Sequence, residues 1–255
     1  MTVKDDARGF GIDIGGTGMK AAVVDLTNGA LLTERHRIDT PQPATPEAMA
    51  EVVRELVEFH GWGGPVGCAF PAVVRHGIVG SAANIDDSWL DVDADRIFTE
   101  ALDRHDEDGV VMLNDADAAG LAEMRFGVGR GRGGVVMMLT FGTGIGSGLF
   151  VDGTLVPNTE LGHLELDGHV AEHRAAASAK KREDLSWAAW AERVERYLRH
   201  LERLFSPDLF IVGGGASKKA DRWLDDVRID TEIVPAELLN NAGIVGAAIR
   251  AAGLH

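Results

Sequence analysis

The chain has 255 residues, of which 45% are hydrophobic, and a formal net charge of −15. That supplies enough apolar material for one large or two small cores, and so acidic a chain is excluded as a non-specific nucleic-acid binder. Cys68 is the only cysteine, which excludes an intrachain disulfide and a cysteine-based zinc site.

The opening segment MTVKDDARGF lacks the apolar core of a signal peptide, and no apolar run along the chain exceeds the length of a strand. A cytoplasmic protein with no membrane span is the expectation. Residues 10–14 and 19–25 read as two strands joined by the tight turn GGTG, with Asp13 in the first strand and Lys20 in the second. Glycines let a backbone approach a ligand closely, and a row of N–H groups beside a lysine suits phosphate. An ordinary hairpin is the alternative. Residues 45–61 predict a helix: Thr45 can cap it, Pro46 suits the first turn and Gly61 the end. Met49, Val52, Val53, Leu56 and Val57 form its apolar face.

Strands are expected at 66–70 and 110–113. The second ends at Asn114–Asp115, where a helix begins almost at once. In open α/β sheets ligands gather at the carboxyl ends of strands. An aspartate there is a helix cap or a functional carboxylate. Asp117 can serve as the cap, which leaves Asp115 as a candidate general base. Strands at 135–141 and 147–151 flank a second glycine turn, Gly142, Thr143 and Gly144. IDIGGTG and LTFGTGIGSG thus share one logic, a strand, a glycine–threonine turn and another strand. The echo predicts two similar halves with a ligand cleft between them.

Downstream of the second turn come Glu160, His163 and Glu172 in a loop rich in His and Glu. The spacing matches no tight metal signature, and carboxylates also suit sugar hydroxyls because each accepts several hydrogen bonds. A merely polar loop stays open as a reading. A helix over 186–205 carries Trp187, Trp190, Val194, Tyr197, Leu198 and Leu201 in register, a stripe that reads as core or as a subunit contact. A strand at 209–212 runs into Gly213, Gly214 and Gly215, and a last helix covers 241–252. Strands alternating with helices argue an α/β fold.

Three basic patches stand against the acidic background: Arg125, Arg130 and Arg132; Lys180, Lys181 and Arg182; and Lys218 with Lys219. Each is ordinary solvated surface if taken alone. No Gly-Lys pair occurs, so a P-loop is excluded, and the GxGxxG of Gly129, Gly131 and Gly134 precedes a strand and fails the dinucleotide-binding context.

Five segments in this order, DIGGTGMK, NDADAAGLAE, GTGIGSGLFVDG, the ExGH of Glu160–His163 and the strand with GGG at 209–215, resemble the ROK family of repressors, open reading frames and sugar kinases, within the actin/hexokinase/Hsp70 superfamily. The run LTFGTGIGSGLFVDGTLVPNTELGHLELDGH is similar to the branch of that family that phosphorylates glucose from inorganic polyphosphate. The resemblance implies two ribonuclease H-like (actin-like ATPase) domains with a cleft between them: residues 1–115 with the C-terminal helix of about 241–255, and residues 116–240. It implies Asp13 near a Mg²⁺–phosphate complex, a first phosphate loop of Gly15, Gly16, Thr17, Gly18, Met19 and Lys20, and a second of Gly142, Thr143 and Gly144. Gly213, Gly214 and Gly215 would lie by an adenosine site. Asn84, Asn114, Asp115, Glu160, His163 and Glu172 would bind the sugar, with Asp115 as the base on its 6-hydroxyl.

Many members carry a CxCGxxGCxE zinc motif where this chain reads DGHVAEHRAAAS, so no structural zinc is expected. The implied activity is transfer of a terminal phosphoryl from polyphosphate, ATP or both to glucose or mannose, in a homodimer without nucleic-acid or membrane partners. Arg125, Arg130, Arg132, Lys218 and Lys219 are the first candidates for a polyphosphate track, and Lys180, Lys181 and Arg182 the second. An ATP-dependent hexose kinase and a non-catalytic sugar-binding regulator remain as alternatives.

Overall fold

The computed structural model describes residues 7–81, 85–105 and 109–254. In chain order, β1 (Arg8–Gly15), β2 (Gly18–Asp25) and β3 (His36–Ile38) precede helix α1 (Pro46–His60) and β4 (Val66–Phe70). A small hairpin of β5 (Val74–Arg75) and β6 (Ile78–Val79) leads to α2 (Ala94–Ala101), β7 (Val110–Asn114) and α3 (Asp115–Phe126). Then follow β8 (Val135–Phe141), β9 (Ile145–Val151), β10 (Thr154–Val156), β11 (Glu165–Leu166), β12 (His169–Val170), α4 (Glu172–Ala175), α5 (Ala177–Arg182) and α6 (Trp187–Phe205). The chain ends with β13 (Leu209–Gly213), β14 (Glu232–Pro235) and α7 (Ala242–Ala251). Its contacts define two units, one running to Ala122 and resuming at Asn241, the other from Glu123 to Asn240.

In the first unit the sheet order is β3-β2-β1-β4-β7. β1 pairs antiparallel with β2, and β2 with β3, whereas β4 lies parallel to β1 and β7 parallel to β4. Helix α1 has the caps its sequence predicts. The Thr45 side chain accepts from the Ala48 N–H, and Gly61 closes the helix in the left-handed conformation. Its buried face, with Met49, Val53 and Leu56 fully enclosed, joins Phe10, Ile12 and Phe70 in one core. On the sheet, α7 approaches so closely that side chains are excluded. A Cβ on Gly11 would stand 1.8 Å from the Ile244 carbonyl oxygen, and one on Gly67 1.8 Å from that of Ala247. Only glycine lets backbone meet backbone at that distance.

The second unit repeats the pattern. Its order is β10-β9-β8-β13-β14, again antiparallel across the first three strands and parallel across the last three. The internal echo of the sequence is therefore real at the level of topology. Helix α6 is capped by Ser186, and Trp190, Val194, Tyr197, Leu198 and Leu201 are fully buried against Phe141, Phe210 and Trp223. The aromatic stripe is this unit's own core. Among the described residues, no helix is long and apolar enough to cross a membrane.

Candidate active site

The first glycine turn is a two-residue hairpin. Gly15 pairs with Gly18 across β1 and β2, which leaves Gly16 and Thr17 at the tip. The Thr40 hydroxyl donates to the Gly15 carbonyl at 2.5 Å, and Arg37 Nη2 donates to the Thr17 carbonyl at 2.7 Å. Arg37 also pairs with Asp39 and occupies the space a side chain on Gly18 would need. Strand alternation buries Met19 and turns Lys20 to the opposite face, where its ammonium meets the Asp13 carboxylate at 3.1 Å. Asp13 and Lys20 are register partners, so their charges balance each other. A cavity of about 410 Å³ opens beside this turn, lined by Gly15, Gly16, Thr40, Gln42, Pro71 and Asp86 among others.

Asp115 is the first residue of α3, directly after β7, and it is exposed. The helix cap is neither aspartate. Asn114 Oδ1 accepts from the N–H groups of Ala116 (2.8 Å) and Asp117 (3.2 Å), while its Nδ2 donates to the Ala72 carbonyl at 3.2 Å. Asp117 is buried. The expectation that Asp117 caps the helix is thus corrected. A carboxamide at the strand's last position reaches both N–H groups and satisfies them without adding charge.

In the second unit, Phe141 pairs with Ile145, and Gly142, Thr143 and Gly144 form the turn between β8 and β9, closed by a 3.0 Å bond from the Gly142 N–H to the Gly144 carbonyl. The structure brings Glu160, His163 and Glu172 together beside this turn. His163 Nδ1 lies 3.7 Å from Glu160 Oε2, and His163 Nε2 lies 3.5 Å from Glu172 Oε1. Glu172 reaches the turn itself: its Oε2 accepts from the Ile145 N–H at 3.0 Å, and a Cβ on Gly144 would stand 2.4 Å from that oxygen. Burial pushes the Glu160 carboxyl above its ordinary range. The adjacent His163 offsets part of that rise and the Glu172 charge adds to it.

Sequence reasoning did not single out the residues that hold this cluster. Ser147, nearly fully buried on β9, donates to the Thr159 carbonyl at 2.6 Å and accepts from the Leu161 N–H at 3.0 Å, pinning the turn that carries Glu160 and His163. Ser178 on α5 donates from its hydroxyl to the Thr143 carbonyl (2.6 Å) and from its N–H to the Gly142 carbonyl (3.0 Å). Serine has no local signature for such a role. Gly213 pairs with Thr140, and the Ala216 N–H donates to the Phe141 carbonyl at 3.3 Å, so the triple glycine adjoins the second turn. Gly214 is left-handed and lies against Phe141.

The basic patches separate. Lys218 and Lys219 are exposed just beyond the triple glycine, at the end of the sheet that bears the second turn. Arg130 and Arg132 precede the start of β8, and Arg132 pairs with Glu232 at the start of β14. They stand at the other end of a seven-residue strand, roughly 20 Å from the turn at the usual rise of a strand. They therefore stand apart from Lys218, because proximity in sequence to a strand says nothing about which end is shared. Arg125 sits in the last turn of α3 with its guanidinium 5.5 Å from the centre of the Phe126 ring. Asn84 lies outside the described residues. Among the described residues, no group of three or more His, Cys, Asp or Glu side chains is placed to hold a metal ion.

Two similar α/β units, each with a glycine turn between its first two strands, define an actin-like sugar-kinase fold. The chain belongs to the ROK family, whose profile matches residues 9–178. The polyphosphate glucokinase of Mycobacterium tuberculosis (strain CDC 1551 / Oshkosh) is 52% identical over 242 residues, covering 94% of this chain and 90% of that protein. The crystal structure of the inorganic polyphosphate/ATP-glucomannokinase from Arthrobacter sp. strain KM superposes with a TM-score of 0.92 at 54% identity, covering 98% of this chain and 100% of that one. A ROK family glucokinase from Streptomyces griseus, in complex with glucose and AMPPNP, superposes with a TM-score of 0.77 at 25% identity over 96% of this chain and 99% of its own.

Proposed function

We propose that this chain is a polyphosphate-dependent glucokinase, transferring a terminal phosphoryl group from inorganic polyphosphate to the 6-hydroxyl of glucose. The observation that carries the reading is Glu172. One carboxylate accepts from the second glycine turn at Ile145 N and faces His163 beside Glu160. In this reading the donor loop and the sugar site share one side chain. The likeness to polyphosphate-using relatives at 52% and 54% identity supports polyphosphate as the donor.

In this mechanism the protein does little covalent work, because phosphoryl transfer depends on alignment and on spreading charge. Glu160, His163 and Glu172 receive the sugar hydroxyls, and Asn114, beyond its capping role, holds the sugar through the second proton of Nδ2. Asp115 accepts the proton of the 6-hydroxyl as that oxygen attacks the terminal phosphorus and the bridging P–O bond breaks. The first glycine turn, at Gly16, Thr17 and Gly18, and the second, at Thr143 and Gly144, supply backbone amides of the kind that bind phosphate, while the Gly142 N–H is used within its own turn. Mg²⁺, when bound with the donor, neutralises phosphate charge. Magnesium is commonly held by one or two carboxylates with phosphate oxygens and water, and Asp13 fits as the single carboxylate of such a set. Lys20 fixes its orientation.

ATP as a second donor and mannose as a second acceptor are supported by the name of the Arthrobacter relative. The deciding experiment is glucose 6-phosphate formation with polyphosphate or ATP as sole donor. Faster turnover with polyphosphate is expected. Turnover with ATP alone would replace the donor assignment, and none with either would overturn the kinase reading.

A further inference from the structure

An acidic protein that takes a long polyanion must offer it a local basic surface. Two observations in the second unit locate one. First, α5 is fastened to the second glycine turn by both the N–H and the hydroxyl of Ser178. Second, Lys181 and Arg182 lie three and four residues beyond Ser178, the spacing that puts side chains on the same helical face within about 6 Å, Cβ to Cβ. Both are exposed. Lys180 lies off that face and is otherwise engaged, donating to the Leu185 carbonyl at 2.7 Å with its ammonium 4.4 Å from the centre of the Trp187 ring.

The local charge stays positive despite two acidic neighbours, Glu183 and Asp184, because Lys180, Lys181, Arg182 and Arg193 outnumber them. Glu183 meets Arg182 at 3.1 Å and Arg193 at 2.7 Å, so one carboxylate is shared by two guanidinium groups, and Lys181, next to Arg182 in sequence, is exposed. Arg182 is further oriented by its 2.7 Å bond to the His173 carbonyl, immediately after Glu172. Arg182 is thus held in place relative to the turn that α5 is fastened to.

Resting on the polyphosphate reading above, we infer that Lys181 and Arg182 bind the phosphoryl units of the donor chain next to the one being transferred. Guanidinium and ammonium groups in this position bond the non-bridging oxygens of successive units. ATP, which ends in a nucleoside, gains little from them.

The test compares Lys181→Gln, Arg182→Gln and the double variant with the wild type, using long-chain polyphosphate and ATP in turn at saturating glucose. The double variant should raise KM for polyphosphate by about tenfold or more, the scale of losing charge-assisted hydrogen bonds to phosphate. KM for ATP and for glucose should stay within about twofold. The dependence of polyphosphate KM on salt should also weaken, because fewer counterions are released on binding. Arg130→Gln with Arg132→Gln, at the far end of the sheet, should change none of these. Equal losses with both donors, or no loss with polyphosphate, would overturn the inference while leaving the kinase intact. A wild type inert with polyphosphate but active with ATP would overturn it together with the donor assignment. Lys181→Gln is an exposed single change, so its result stands even where the double variant folds poorly, which thermal melting checks.

Discussion

Glu172→Ala removes a side chain that, in the proposed mechanism, touches both the sugar and the donor turn. Its Oε2 is the acceptor for the Ile145 N–H at 3.0 Å, and Ile145 is only 3% exposed, so solvent cannot replace the lost partner freely. An orphaned buried N–H costs about 1–3 kcal/mol. At 1.36 kcal/mol per factor of ten, that corresponds to about a 5- to 150-fold loss if the turn must recover its shape to bind donor. The same change opens the space beside Gly144 and removes the carboxylate facing His163. Steady-state kinetics with each substrate varied in turn should show a raised KM for glucose together with a fall of that size in kcat/KM for polyphosphate. Glu172→Gln keeps an oxygen for Ile145 but loses the charge and replaces the oxygen facing His163 with an NH2 group. It should raise KM for glucose while leaving the donor value within about threefold. If Glu172→Ala altered the glucose KM and left the donor kcat/KM untouched, the coupling of sugar site to donor turn through this residue would be wrong.

Asp115→Asn should lower kcat by about 10²–10⁴, the usual contribution of a positioned acid–base group, with glucose binding retained by calorimetry; a loss of less than tenfold would remove the base assignment. Gly67→Ala places a Cβ 1.8 Å from the Ala247 carbonyl oxygen, so α7 must retreat from the sheet at a cost of about 1–3 kcal/mol or more, readable as a lowered midpoint in urea without a change in glucose KM. Asp95 tests electrostatics apart from the site. Burial pushes its carboxyl up to about 6, the Met112 N–H holding it down and Asp93 adding to the rise. A carboxyl that binds its proton more tightly when folded contributes stability that is complete below its unfolded value of 3.8 and is lost as pH rises through about 6. Asp95→Asn keeps an acceptor for Met112. It should therefore be more stable than wild type at pH 7.5 in urea melts, with the gap closing toward pH 4, and a gap independent of pH would refute the linkage.

Much of the fold was legible because its signals are local. Helix α1 advertises its cap, first turn, apolar face and stop in consecutive residues, and all four are realised. The seven expected strands are present because buried strands are continuous apolar runs bounded by turns. The strands that escaped notice, β3, β10 and β14 at sheet edges and the short hairpins, have two to four residues each. So short a segment carries almost no periodicity, and its partner rather than its composition makes it a strand. The cap of α3 shows the limit from another side. Asn114, Asp115 and Asp117 are all competent caps by type, and only backbone geometry selects Asn114.

By itself the sequence determined the two glycine turns, the aspartate after β7 and the order in which the glycine-rich, carboxylate-bearing and histidine-bearing segments appear, because each depends on chemistry carried by neighbouring residues. Only the tertiary structure decided that Glu172 returns to meet Ile145, that Ser147 and Ser178 pin the loops, and that α5, which carries Lys181 and Arg182, is fastened to the second glycine turn while Arg130 and Arg132 stand at the far end of β8. The physical reason is direction. A strand's two ends are alike in composition and differ only in which way the chain runs through the sheet, and that is set by pairings between residues distant in sequence.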